Sequence, residues 1–401
     1  MSKFSRVCFG LGCVLISAGL SLSPAMISMG MGFLAASAIP IIALYPNVIM
    51  ELKRPVFAGW VLYFGLTLAS FPMHDDVGLW WDECRVKVPM LLVPLAVSAN
   101  KKAAKFWLMP SILLFTSVVT AVNLATLAYY FGHFEECNAL ILASKPVPIQ
   151  TTTRSLSHIY FGIMSAFAGC AGMYLWKKKS KIWGVYMLIC GAVCIFCLHL
   201  FASRTGLLAL YGAVACATFY QVYRHEKWRK YIWITPILPA IGAASVTMVP
   251  SLNNRYKNTV EDVKAYMNNE DITHRSLSKR VLVWGFAAEL WHANPLFGIG
   301  PGNVKPEILS RYEGSKYCVE KKERVADPHN QFLEAGAGLG ILGFSALLFI
   351  FASSCLNPIR PLMLMLWAIL ALGMLGESLL ERQVGVSFSL LYWSLISIMD
   401  E

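Results

Sequence analysis

The chain has 401 residues, of which 57% are hydrophobic and only 14% charged, with a formal net charge of +11. Its mean hydropathy is +0.56. A soluble domain carries roughly 25% charged residues, so lipid is the solvent for most of this chain and an array of soluble domains is excluded. The basic residues fall in short runs between apolar stretches, which is the positive-inside pattern of a membrane protein and not the basic patch of a nucleic-acid binder.

From the N-terminus, Met1 to Ala25 resembles a signal peptide, with Lys3 and Arg6 ahead of an apolar run. More apolar spans follow at once, so it is read as an uncleaved first helix. A crossing helix needs about 20 mostly apolar residues. That requirement predicts about twelve spans, at 7–23, 25–49, 55–72, 86–100, 105–132, 158–176, 182–202, 205–223, 231–250, 331–354, 361–377 and 384–399. Pro40, Pro46, Pro110, Pro236 and Pro239 fall inside spans and predict kinks. If the N-terminus is cytoplasmic and the spans alternate, the inside loops receive Lys53 and Arg54, then Lys101, Lys102 and Lys105, then Lys177, Lys178, Lys179 and Lys181, then Arg224, Lys227, Arg229 and Lys230, and finally Arg360. Every inside loop is then basic. The expectation is an all-α integral membrane protein, a single polytopic domain over 1–401 with both termini cytoplasmic.

The outer face is organised differently. Loop 73–85 holds His74, Asp75, Asp76, Trp80, Trp81, Asp82 and Glu83, and loop 133–157 leads to Arg154 and His158. Only Ser203-Arg204-Thr205-Gly206 separates two spans, and the last outer turn carries Glu377, Glu381, Arg382 and Gln383. Residues 251–330 form one long outer loop, a length that points to function. It opens with polar residues, Asn253 to Asp271. Within it Trp284, Ala287 or Ala288 and Trp291 recur at helical spacing in a run too short to span, which predicts an interfacial helix with its Trp residues at headgroup depth. The turn Leu296-Phe297-Gly298-Ile299-Gly300-Pro301-Gly302-Asn303 that follows is no dinucleotide fingerprint, because no strand precedes it and Pro interrupts it. Of the 11 Cys, most lie in apolar spans, where they act as small hydrophobes. Cys84, Cys137 and Cys318 fall in outer loops, either as a disulfide or as free thiols.

Several polar residues carry two readings each. Asp327-Pro328 suits a helix N-cap and first turn, which would put His329 at the start of the tenth span, where the helix dipole keeps an imidazole neutral and fit to act as a general base. The alternative is a His wetted at the bilayer surface. Arg204 is either an interface-snorkelling side chain or a cation facing a lipid phosphate; a charge beside a span is costly, which favours function. Arg280 has the same two readings. Arg154 with His158, and Glu381 with Arg382, either complete a polar cleft or pair structurally. His74, Asp75 and Asp76 make a short lone cluster that reads as a solvated loop in preference to a metal site.

Three blocks together resemble the family of O-antigen ligases and polymerases. They are Ser203-Arg204-Thr205-Gly206-Leu207-Leu208; Arg280 and Trp284 leading to the segment Pro295–Asn303; and His329-Asn330-Gln331-Phe332-Leu333-Glu334 followed by Gly338-Leu339-Gly340. The turn Glu377–Gly385 is also similar to members of this family. The resemblance covers roughly 190–350 and implies a C-type, all-helical glycosyltransferase fold. It also implies an undecaprenyl-diphosphate-linked glycan donor at the periplasmic face of the inner membrane, and no nucleotide sugar, ATP, cofactor or metal. A ligase moves the glycan to a sugar of the lipid A core; a polymerase moves it to another lipid-linked repeat. On this reading Arg204 and Arg280 take the charge of the leaving diphosphate and His329 takes the acceptor's proton, with inversion. Arg154, His158, Asn303, Asn330 and Arg382 are candidates for binding sugar or phosphate. A transporter or lipid flippase is the rival from another class. It would place coupling charges near the midplane, whereas the polar groups here gather outside.

Overall fold

The computed structural model describes residues 3–142, 157–176, 181–224, 250–317, 319–354 and 360–398. Among these residues helices are the only regular elements. In chain order they are α1 (Lys3–Leu22), α2 (Pro24–Leu44), α3 (Pro55–Ala69), α4 (Val77–Lys87), α5 (Pro89–Ala99), α6 (Lys101–Gly132), α7 (Phe134–Leu142), α8 (His158–Leu175), α9 (Lys181–Leu200), α10 (Arg204–Arg224), α11 (Pro250–Met267), α12 (Ser276–Ala293), α13 (Val304–Arg311), α14 (Gln331–Ser354), α15 (Pro361–Gly376) and α16 (Gln383–Ser397). Seven of these, α1, α2, α6, α8, α9, α10 and α14, are long and apolar enough to cross a membrane, and α3 and α15 are apolar but shorter. The chain is a multi-pass, all-helical membrane protein.

Every predicted span except 231–250 falls on a helix; that one, with Pro236 and Pro239, lies outside the described residues. The differences follow the prolines. α2 stops at Leu44 because Pro46 opens a 3₁₀ stretch to Lys53. The short span 86–100 is α5 alone, started by Pro89 and set off from α4 at Val88. Pro40 and Pro110 do sit inside α2 and α6. The polar opening of the long loop, for which no element was assigned, forms α11. Cys84 and Cys137 are free and buried, while Cys318 lies outside the described residues.

α16 is the axis of the packing. Val384 to Ser397 is buried throughout, as expected of a helix that is apolar on all sides and enclosed by others. Trp393 meets Trp60 of α3 edge-on, with centroids 5.7 Å apart. Phe115, Phe167, Phe388 and Tyr392 form one aromatic knot joining α6, α8 and α16.

The organising irregularity is in α14, which breaks at Gly340 (φ 64°, ψ −157°). A helix in lipid must satisfy its own backbone groups unless protein supplies partners, and here the turn after α12 does so. The carbonyl of Ala337 accepts from Ile299 N (2.9 Å), that of Gly338 from Gly300 N (2.9 Å), and Ile341 N donates to Pro295 O (2.8 Å). The helical bond from Ile341 to Ala337 is thus exchanged for two bonds to segment 295–300. Both chains need glycine for this approach. A Cβ on Gly340 would stand 2.3 Å from Leu296 O, and one on Gly298 (φ 72°) would stand 2.4 Å from the Gly338 carbonyl carbon.

His74 and Asn303 complete the joint. His74 Nε2 accepts from Gly302 N (3.1 Å) while its Nδ1 meets Ser70 O (2.9 Å). Asn303 donates both amide hydrogens, to Met73 O (2.8 Å) and Ile299 O (2.9 Å). Gly340→Ala combines a left-handed backbone with backbone overlap, so it should cost at least about 3 kcal/mol. Thermal unfolding in detergent should show a clear fall in midpoint, with Gly32→Ala, where an added methyl meets nothing within 4 Å, close to the parent. An unchanged Gly340→Ala midpoint would refute the break.

Candidate functional site

A cleft of about 1170 Å³ opens where α8, α9, α10, α11 and α12 meet the segment before α14. Arg204, Arg280 and His329, three side chains far apart in sequence, all line it. Arg204 gets there by a tight reversal. α9 ends at Leu200, Ala202 turns at φ 48°, Ser203 N bonds back to Leu198 O (3.2 Å), and α10 begins at Arg204. Its Nη1 donates to Thr259 Oγ1 of α11 (2.9 Å). Arg280, in the second turn of α12, donates to Gly376 O (3.3 Å) at the C-terminal end of α15, where the helix dipole favours a cation.

Neither guanidinium is in an ion pair with a described residue, although Arg204 lies within range of the charge on Arg280. The other cations of the cleft are engaged: Lys279 holds Glu323 (3.1 Å) and Arg275 holds Asp262 (3.7 Å). Burial pushes Arg280 below the usual arginine value and the carboxylates of Glu377 and Asp327 oppose this; an arginine stays charged under such shifts. The first residues of three helices, His158 of α8, Arg204 of α10 and Ser276 of α12, also line the cleft. Their positive dipole ends add to a field suited to a polyanion.

His329 is not in the first turn of a helix. It precedes α14, with a left-handed backbone (φ 49°), and the cap is Asn330, whose Oδ1 accepts from Phe332 N (3.0 Å) and Leu333 N (3.2 Å). Asp327 instead fixes the turn, accepting from His329 N (2.8 Å) and Ser378 Oγ (2.7 Å), and Trp284 Nε1 donates to Pro328 O (2.7 Å). The imidazole Nδ1 faces Glu377 Oε2 at 3.1 Å, and that carboxylate is only 2% exposed. The pairing sets Nδ1 as donor and leaves Nε2 to accept a proton. Glu377, not a dipole, therefore governs this histidine.

Residues 189–348, which carry all three cleft residues, match the family model described as O-antigen ligase. Over this segment the chain is similar to the O-antigen ligases. No curated protein matches the chain. The match supports an O-antigen ligase- or polymerase-type, glycosyltransferase-like function and does not divide the two.

The ligand atoms of Asp327, His329 and Glu377 lie within 4.8 Å of one another, close enough to hold a cation. They are, however, bonded to one another and to Ser378, with Arg280 supplying positive charge beside them. The bonds already account for the cluster.

The remaining candidates divide. His158 lines the cleft. Asn303 is spent on the joint described above, and Asn330 on capping α14. Arg382 is exposed, its guanidinium 5.9 Å over the Tyr160 ring and outside the cleft lining. Arg154 lies outside the described residues. Trp284 and Trp291, expected at headgroup depth, pack on protein: Trp284 on the Pro328 carbonyl and Trp291 against Phe344 (5.0 Å). Asp76 caps α4 through Gly78 N (2.7 Å). Glu377, noted in the sequence only as part of the last outer turn and of the family-like segment Glu377–Gly385, was given no role there.

Beside the cleft lies a buried ionic cluster that the sequence reading did not foresee. Lys87, fully buried, pairs with Glu83 and with Glu381 (2.7 Å). Gln331 links Glu381 (3.0 Å) to Leu380 N (2.6 Å), tying the turn that carries Glu377 to α14. Glu334 is buried too, its carboxylate without a hydrogen-bond partner among the described residues. The spans thus hold more buried charge than expected.

Burial pushes Glu83 up to about 7 against the pull of Lys87. Burial acts upward on Glu381 as well, but Lys87 outweighs it and holds that carboxyl down at about 2. A raised carboxyl stabilises the fold below its unfolded value, about 4.3, and the contribution is lost as pH rises through the folded value. Stability should therefore fall between about pH 4 and about pH 7, and Glu83→Gln, which keeps the neutral form, should flatten that fall. Parallel midpoint-against-pH curves for the two proteins would rule this out. Glu381 acts in the opposite sense and in a separate window, its contribution disappearing as pH falls from about 4 to about 2.

Proposed function

We propose that this protein is an O-antigen ligase, transferring a glycan from undecaprenyl diphosphate to a sugar of the lipid A core by metal-independent inverting glycosyl transfer. The observation that carries the reading is the meeting, in one cleft, of two guanidiniums outside any described ion pair and a histidine held by a buried carboxylate. The acceptor hydroxyl oxygen attacks the anomeric carbon and forms the new C–O bond. Its proton passes to His329 Nε2, and Glu377 supports the imidazolium this creates. The bond from the anomeric carbon to the phosphate oxygen breaks on the opposite face, which inverts configuration. The electron pair leaves with undecaprenyl diphosphate, whose growing charge Arg204, Arg280 and the three helix N-termini receive.

The reading also places the protein in a bacterial inner membrane with about twelve spans, both termini cytoplasmic and the cleft facing the periplasm. The basic runs of the predicted inside loops support it. Glu51 pairs with Lys101 (2.9 Å) and Arg54 (3.6 Å), gathering two of those runs together, and none of these residues lines the cleft.

The direct test is transfer by purified protein from a lipid-linked donor to lipid A-core. Arg204→Ala and Arg280→Ala should each lower kcat/KM on the order of 10²–10³-fold or more, and His329→Ala should abolish transfer, with all three still inserting in the membrane. Glu377→Gln should lower kcat by about 10²-fold and leave donor KM near the parent value. Full activity of His329→Ala would remove it as the base. Chelation by EDTA should leave the rate unchanged; a rate lost to EDTA and restored by a divalent ion would reassign Asp327, His329 and Glu377 as metal ligands. Lipopolysaccharide from a deletion strain separates ligase from polymerase. A ligase leaves lipid A without long glycan while lipid-linked polymer accumulates; a polymerase leaves lipid A with a single repeat.

A further inference from the structure

A second groove, of about 600 Å³, lies on the far face of α12, bounded by α11, α13 and the turn 312–317. Leu282, Gly285, Phe286 and Glu289 of α12 line it, while Ser276, Lys279 and Arg280 of the same helix line the cleft. At a rise of about 1.5 Å per residue, Gly285 to Glu289 stand roughly 8–14 Å along the axis from Arg280.

Three features suit the groove to a sugar ring. Tyr266 and Tyr317 stack at 5.0 Å and 13°, locked by Tyr317 Oη donating to Tyr266 O (2.7 Å); with Tyr317 buried and covered by Lys316, the half-buried Tyr266 is the ring that offers an aromatic surface to the C–H face of a pyranose. Beside it Arg311 and Glu289 (2.8 Å) present donors and acceptors for hydroxyls, and Ser310 and Ser315 add two more. Arg311 is paired with Glu289, and Lys316, the other cation of the lining, lies over the Tyr317 ring, so the groove offers hydroxyl groups both donors and acceptors. Lastly, Gly285 sits inside α12, where glycine costs roughly 1 kcal/mol relative to alanine, yet a Cβ there would meet nothing within 4 Å. No packing demands glycine at this position, and its lack of a side chain leaves the groove floor open.

We propose that this groove binds a sugar ring of a glycan chain whose reacting end occupies the cleft; the inference rests on the transferase reading above. The ring belongs either to the donor polymer or to the acceptor oligosaccharide.

The test fills the groove with Gly285→Phe, which raises helix propensity and so should unfold at or above the parent temperature. Glu289→Gln, on a side chain 64% exposed, is the second variant. Binding is read without turnover by saturation-transfer NMR, using O-polysaccharide freed of its lipid by mild acid. The parent protein should give a signal that Gly285→Phe loses and Glu289→Gln weakens. The same signal in all three proteins overturns the groove. Kinetics identify the source. Against the parent, Gly285→Phe should lose roughly fivefold in kcat/KM on many-repeat but not single-repeat donors if the donor chain fills the groove. The loss should instead appear on full but not truncated core acceptors if the acceptor does. A parent protein that transfers nothing, while the NMR signal is still lost on filling, keeps the groove and overturns the transferase reading.

Discussion

The exchange of backbone hydrogen bonds at Gly340 is the constraint on which the rest depends. A broken helix at membrane depth is affordable only if other protein supplies the missing partners, and segment 295–300 supplies them in register. That joint fixes the C-terminal end of α12 against α14. Since Arg280 is on α12 and His329 immediately precedes α14, the same three bonds set the spacing between the Arg280 guanidinium and the His329 imidazole. The Gly-rich turn is therefore a structural joint and not a ligand loop, and His74 and Asn303 belong to it.

Around the joint, charge is sorted by how it is spent. Lys87, Glu83 and Glu381 are buried against one another, and Gln331 carries their hold to the turn bearing Glu377. Breaking such a cluster exposes an uncompensated buried charge, which costs several kcal/mol, so the turn is rigidly held. Lys279 and Arg275 are committed to carboxylates at the cleft wall. Arg204 and Arg280 alone among the cleft's arginines and lysines keep their charge unspent on a described carboxylate, and the helix N-termini reinforce them. The proposed transfer, with a departing diphosphate, would draw on this arrangement: fixed donors set before the charge develops, with no reorganisation at the moment of reaction.

Much of this was legible in the residues. Arg204 in a four-residue turn, Arg280 opening a helix and His329 ahead of a span all drew notice, because charge beside an apolar run is expensive and asks for a reason. Lys87 did not, and Glu334 and Glu377 were noted without a role, since a lone ionisable residue in a sequence reveals nothing about the partner that makes its burial tolerable. Asn303 and Asn330 looked like sugar ligands because an amide serves backbone capping and ligand binding with the same atoms. α11 was assigned no element because its polar composition matches an irregular loop as well as a helix that packs on one side.

The sequence by itself determined the solvent and the periodicity: lipid for most of the chain, helices where apolar runs persist, and the residues whose charge needed explanation. These follow from local chemistry, since transfer free energy and helix length are properties of short segments. Only the tertiary structure decided which apolar helix is buried in protein and which faces lipid, as α16 shows, because the two environments ask for the same side chains. It also decided that His329 answers to Glu377 and not to a helix dipole. That pairing spans 48 positions, and a hydrogen bond between residues so far apart exists only once the packing of α14 and α15 has brought them together.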